Sequence, residues 1–192
     1  MDKISCKDDY RIYLEADRIS LNKRRCIHHY FDEIWRFQKA LRRLEYLSNT
    51  HSGYFQLLLA KTIYRRMSVR LGFTIPVNCF GPGLSIAHYG TIVVNGAARI
   101  GANCRIHTCT NIGTGAGTSG EAPRIGNNCY IGPGAKIYGK IILGDNVVIG
   151  ANSVVNQSFP MDDITIAGNP ADIISHKGSN SLLIHGYRIN KV

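Results

Sequence analysis

The sequence predicts a parallel β-helix of six-residue units preceded by a small α-helical N-terminal domain. Two observations carry the β-helix. Branched apolar residues recur every six positions at Ile100, Ile106 and Ile112, and again at Ile125, Ile131, Ile137, Leu143, Ile149 and Val155, and glycine often follows directly. A third observation marks the boundary: before Phe73 the apolar residues take mixed three- and four-residue spacings instead.

The helical domain is expected over 1–72. A short helix fits Asp8–Leu21. The stretch Ile27–Leu47 sets Ile27, Tyr30, Phe31, Ile34, Trp35, Leu41, Leu44, Tyr46 and Leu47 at helical spacings, with Arg36, Lys39, Arg42 and Arg43 between them. Ser52-Gly53 breaks the run, and Tyr54–Leu71 forms a further helix that stops at Gly72. The aromatic residues here read as a helix-packing core.

The β-helix is expected over 73–174. Each six-residue unit is a short strand plus a turn, and three units make one triangular coil. The branched side chain points inward and stacks on its equivalents, at a coil spacing of ~4.8 Å. Two positions earlier a small residue (Ala98, Cys104, Thr110, Cys129, Ala135, Ser153) fits the corner, and glycine supplies the turn. The period slips twice. Phe80, Ile86 and Ile92 are six apart but Ile92 to Ile100 is eight; Ile112 to Ile125 is thirteen where twelve would keep phase. The second gap holds GTGAGTSGEAPR, expected as an extruded loop over 114–124 on a rigid scaffold, a common place for function. Ile164–Ala171 reads as a closing segment and 175–192 as a tail that packs on the helix or on a neighbouring chain.

Composition bounds the function. The chain is 44% hydrophobic and 19% charged, with no apolar run near the ~18 residues of a membrane span. Its start, MDKISCKDDY, has no apolar h-region, so a cytoplasmic protein is expected. Six cysteines (6, 26, 79, 104, 109, 129) form no CxxC pair, which argues for reduced thiols, against a zinc ribbon, and for no metal. The net charge of +10 is concentrated in residues 1–72, with 15 Lys/Arg against 8 Asp/Glu. The basic helices read as a solvated face, with weak contact to a membrane surface or an anionic glycan as the alternative; nucleic acid is not an expected partner.

With these motifs in place, residues 73–174 resemble the serine acetyltransferase family of hexapeptide-repeat acyltransferases. The resemblance rests on Gly83-Leu84-Ser85-Ile86-Ala87-His88, Ile112-Gly113-Thr114-Gly115, Pro123-Arg124-Ile125-Gly126, Ile149 through Val155, and Ala167-Gly168-Asn169-Pro170-Ala171. It implies a left-handed winding, a homotrimer, and acetyl-CoA as co-substrate. It also implies His88 as the general base that takes a proton from an acceptor hydroxyl. An imidazole of pKa about 6.5 suits that task. No GxSxG elbow is present, so direct transfer is expected in place of an acyl-enzyme. The coenzyme A groove maps onto Gly113, Thr114, Gly132, Pro133 and Ala151, with Lys136, Lys140 and Lys177 within reach of phosphates.

The chain departs from the family pattern at Phe73, Ala87 and Ala122, where the family carries Asp, Asp and His. Losing those groups removes partners for an amino-acid zwitterion. The expected acceptor is therefore a small-molecule or carbohydrate hydroxyl, as in the surface-polysaccharide branch, contacted by Tyr89, Asn95, His107 and Asn111, with Asn78 a further candidate. Two alternatives stay open: a serine O-acetyltransferase of cysteine biosynthesis, and a non-catalytic trimeric scaffold. A zinc enzyme of the γ-carbonic-anhydrase type would need three matched histidines, and His88 with His107 does not supply them.

Overall fold

A computed structural model of the chain describes residues 3–23, 31–117 and 120–189. Three helices come first. Helix α1 (Lys7–Ser20) is closed by a reciprocal cap in which the Cys6 sulfur accepts from Asp9 N–H and the Asp9 carboxylate accepts from Cys6 N–H. Helix α2 (Glu33–Asn49) starts at Asp32, whose Oδ1 accepts from Trp35 N–H at 2.8 Å. The part of the expected helix around Ile27 and Tyr30 lies outside the described residues. Helix α3 (Tyr54–Leu71) ends on Gly72, which is left-handed at φ 76°.

The chain then winds through three sheets in strict rotation. One face stacks β1 (Phe73–Thr74), β3 (Ile92–Val94), β6 (Thr110–Gly113), β9 (Lys136–Tyr138) and β12 (Val154–Val155). The second stacks β4 (Arg99–Ile100), β7 (Arg124–Ile125) and β10 (Ile142–Leu143), extended at its ends by bridges from Phe80 and Phe159. The third stacks β2 (Ser85–Ile86), β5 (Arg105–Ile106), β8 (Tyr130–Ile131), β11 (Val148–Ile149) and β13 (Thr165–Gly168). All pair in parallel until β14 (Ala171–Ser175) folds back antiparallel on β13. Inward residues form continuous columns. Ile86, Ile106, Ile131, Ile149 and Ile166 make one, and Val94, Ile112, Ile137 and Val155 another. Each isoleucine here is buried, and full burial of such a side chain stabilises by about 1.5–3 kcal/mol. Cys104 and Cys129 occupy the expected small slots, buried, with Cys129 N–H directed at the Cys104 sulfur.

Both period slips fall differently from expectation. Ile86 pairs with Ile106 and Val94 with Ile112, so the step of eight runs from Ile86 to Val94 while the next coil takes six. The two added residues therefore lie in the corner Ala87–Thr91, not between Ile92 and Ile100. Ile92 misleads because it fills the slot that Thr110 occupies one coil later, and it too is fully buried. Ile112 and Ile125 sit on adjacent faces, as do Ile137 and Leu143, which are six apart. The loop before Pro123 thus adds seven residues to one unit, not one residue to two.

The helices plug the first coil. Phe37 and Leu41 of α2 belong to the same apolar cluster as the coil interior, and the Phe37 ring meets Phe73 edge-on at 4.9 Å. Phe73 accordingly points inside the coil. A raw sheet end would leave backbone groups unpaired, and buried polar side chains satisfy them here. Arg42 donates to the carbonyls of Phe80 (2.9 Å) and Gly81 (2.7 Å). Asp17 Oδ1 accepts from Gly83 and Leu84 N–H, Glu45 Oε1 from Asn78 N–H, and Gln38 brackets Leu84 O and Ile86 N–H. Arg42 also pairs with Asp17 at 2.8 Å and Glu45 at 2.9 Å, all three side chains being buried. Burial works against the Arg42 charge, but Asp17 and Glu45 overcome it and hold the guanidinium above its ordinary pKa. Burial pushes the Glu45 carboxyl upward.

One expectation about the helices needs correction. Phe31, Tyr54 and Phe55 are exposed, so the aromatic residues are only partly a packing core. The tail returns along the coil's own corner, where Asn103 exchanges two hydrogen bonds with the Tyr187 backbone, each 2.8 Å.

Candidate active site

The corner after β2 is where the added residues emerge. Ala87 N–H makes the last ladder bond, to Ile106 O at 3.0 Å; Gly90 N–H then reaches Leu71 O at 3.0 Å, bowing His88 and Tyr89 outward. His88 is exposed and Tyr89 is 70% exposed. Gly90 has φ 132°, and a Cβ there would come within 2.3 Å of Thr108 Oγ1, so glycine is required at the close of this bow.

One coil later His107 stands beside it, with ring centroids 6.2 Å apart, and leans on Tyr130 at 4.9 Å. Arg105 Nε donates to His107 Nε2 at 3.3 Å and Arg105 Nη1 to Ser85 Oγ at 3.2 Å. Burial, then the charge of Arg105 and the proximity of His88, lower the His107 pKa to about 4. His107 is thus neutral at physiological pH, with its acceptor nitrogen turned to Arg105 and its proton on Nδ1. In that form it can donate a hydrogen bond from Nδ1 and is a weak base.

The rungs continue along this edge. Ala87, His107, Gly132 and Gly150 each donate N–H across to the next coil's carbonyl. One residue further on come His88, Thr108, Pro133 and Ala151. Pro133 and Ala151 are exposed and small, giving a shallow track that runs from His88 along the helix axis. Gly132 itself is buried, and a Cβ there would meet Ile149 O at 2.6 Å, so coil packing alone demands glycine at that position.

The remaining candidates lie elsewhere. Gly113 and Thr114 root the loop at the opposite edge of the first face, and Asn111 is exposed between the two edges, in register with Val93 and Lys136. Asn95 uses its Oδ1 to accept from Ala97 N–H at 2.9 Å, a turn contact. Asn78 is a poor sugar contact, because its amide exchanges hydrogen bonds with Asn49 at 2.9 and 3.0 Å. Lys136 Nζ donates to Cys109 O, Lys140 pairs with Glu121 of the loop at 3.0 Å, and Lys177 is exposed near the closing strands. The structure thus gathers His88, Tyr89, His107, Pro133 and Ala151 at one corner, and leaves Gly113, Thr114 and Asn95 at another.

Sequence reasoning passed over Arg105 and Thr108. The signal was present, since Ser85 and Arg105 share a register row, but the row is visible only once the coils are aligned through Ile86 and Ile106. Two of the departures from the family pattern also change meaning. Phe73 faces the interior and has no path to an acceptor, and Ala122 is half-buried against the core. Ala87 borders a hollow of about 160 Å³ that Lys23, Asp32 and Arg105 also line; Asp32 there is paired with Lys23. Among the described residues no group of three His, Cys, Asp or Glu is arranged to hold a metal ion.

Comparison with known proteins agrees with this architecture. Residues 122–157 match the family model described as bacterial transferase hexapeptide (six repeats). The serine acetyltransferase of Synechococcus elongatus is 37% identical over 99 residues, 51% of this chain and 40% of that protein. The serine acetyltransferase of Buchnera aphidicola is 35% identical over 143 residues, 73% of this chain and 51% of that protein. The chain therefore spans about half or less of the curated relatives it matches. Among solved structures, the serine acetyltransferase of Neisseria gonorrhoeae superposes with a TM-score of 0.69 at 28% identity, covering 88% of this chain and 68% of that one. The Brucella abortus serine acetyltransferase in complex with coenzyme A gives 0.67 at 27%, covering 89% and 68%.

Proposed function

We propose that this chain is a hexapeptide-repeat O-acetyltransferase, wound left-handed, that moves acetyl from acetyl-CoA directly to an acceptor hydroxyl. The observation that carries the reading is the exposed His88 at the head of the small-residue track. In this reading His88 takes the acceptor's proton as the oxygen attacks the thioester carbonyl carbon. The carbon–sulfur bond then breaks, and the proton passes to the leaving thiolate. The pantetheine arm follows Pro133 and Ala151. Pro133 lacks an N–H, so its contact is through shape alone. His107 offers its Nδ1–H to the acceptor or to the developing oxyanion.

The names of the relatives make L-serine the first acceptor to test, and with it a role in supplying cysteine biosynthesis. A second reading, a sugar hydroxyl, is favoured by one feature of the corner: Ala87 offers no carboxylate to a substrate ammonium, and Asp32 in the adjoining hollow is already paired with Lys23.

The site needs a second chain. His88 and the loop root at Gly113-Thr114 occupy opposite edges of one face, which a closed threefold ring would bring together between neighbours. This assembly has a direct test. His88→Ala chains and chains lacking residues 115–121 are each expected to be inactive alone. After unfolding and refolding together they should regain about a quarter of wild-type turnover, because about one interface in four pairs an intact His88 with an intact loop. A mixture as silent as its components would mean that each chain completes its own site.

A further inference from the structure

Helix α3 carries a surface that acetyl transfer does not use. Its inner side, through Leu57, Ala60, Tyr64 and Met67, packs against the helical cluster and the coil. Its outer side exposes Tyr54 (74%), Phe55 (83%), Leu59 (61%) and Val69 (76%), together with Leu58 and Ile63. Isolated exposed apolar residues are ordinary, but a contiguous set on one helix face marks an interaction surface. The helix contains no acidic residue and four cations, Lys61, Arg65, Arg66 and Arg70. Arg70 pairs with Glu33 at 3.3 Å, whereas Lys61, Arg65 and Arg66 make no ion pair with a described residue.

Helical spacing puts both kinds of side chain on the same outward surface. Tyr54, Leu58, Arg65 and Val69 fall on one stripe, and Phe55, Leu59, Thr62 and Arg66 on the next. The first turns are apolar and the later turns basic. We propose that this face docks the protein onto an anionic lipid surface. The aromatic and leucine side chains would enter the boundary between headgroups and acyl chains, and the guanidinium groups would meet lipid phosphates.

Charge selects this occupant over pairing with the α3 of a second copy. Two α3 faces packed together would set acid-free, cationic helices against each other and strip water from arginines that gain no partner. An anionic bilayer supplies the apolar phase and the counter-charge at once. The helix lies on the surface and does not span it, since no described helix is both long and apolar enough to cross. The proposal does not depend on the identity of the acceptor or on the role of His88.

Sedimentation with vesicles of phosphatidylcholine alone, and of phosphatidylcholine mixed with phosphatidylglycerol, tests it. The protein should pellet with the anionic vesicles and stay in solution with the neutral ones, and binding should weaken as salt rises. The double variants Arg65→Glu/Arg66→Glu and Phe55→Ser/Leu59→Ser should each bind about tenfold more weakly or worse. Their melting temperatures should match the wild type, because all four side chains are on the outer surface. Several results would overturn the proposal. These are an absence of pelleting with anionic vesicles, binding unchanged in both variants, or a loss confined to the charge reversal, which would indicate a soluble polyanion. Last among them is a wild-type assembly that Phe55→Ser/Leu59→Ser breaks into smaller ones, which would assign the face to a second copy.

Discussion

Replacing His88 with alanine is expected to lower turnover by about 10²–10⁴-fold, the ordinary contribution of a positioned general base. The loss should fall on kcat, with the acetyl-CoA dissociation constant unchanged, because the track through Pro133 and Ala151 lies on other coils. The fold should not suffer, since His88 is exposed and makes no ladder bond of its own. Steady-state kinetics and calorimetric binding of acetyl-CoA to the variant check both halves. His107→Gln makes the contrast. A glutamine can still donate a hydrogen bond but cannot take up a proton, so a small effect there would mark His107 as a donor. A loss as large as that of His88→Ala would mean the basic function had been assigned to the wrong ring.

The second large effect is on stability. Arg42→Ala is expected to cost about 3–5 kcal/mol, the usual result of removing one member of a buried ion network. Two carboxylates, Asp17 and Glu45, would be left buried against each other, and the carbonyls of Phe80 and Gly81 would lose their donors. For a chain of this size the melting temperature should drop by roughly 6–20 °C. Arg11→Ala is the control, because its pairing with Asp8 is solvent-exposed and worth about 0–1 kcal/mol. Thermal unfolding of the two variants under one buffer separates the cases. Equal midpoints would mean that the network contributes little beyond what water supplies.

Most of the architecture could be read from residue order because the coil repeats. An inward isoleucine every six residues has one physical explanation, and the columns through Ile106, Ile131 and Ile149 follow directly from it. What stayed hidden was long-range. Ile92 kept the six-residue beat while sitting in a small-residue slot, so the two residues added at the His88 corner were assigned one unit too late. Arg42 read as one cation of a solvated helix face, and nothing local signals that it closes the first coil together with Asp17 and Glu45. The same blindness runs the other way on α3, where Tyr54 and Phe55 read as core but stand exposed. At the corner, His88 was legible from the motif around it. Arg105 was not, because Ser85 meets it only through strand register.

The measurement that bears most directly on the central claim is release of coenzyme A from acetyl-CoA by the purified protein, with and without candidate acceptors. L-Serine should be compared with free sugars, nucleotide sugars and oligosaccharides, for wild type and His88→Ala side by side. Acceptor-dependent release that His88→Ala abolishes is the predicted result, and the acceptor that supports it decides between serine and a carbohydrate. No release with any acceptor, together with no binding of acetyl-CoA, would contradict the account and leave a coil that assembles but does not catalyse.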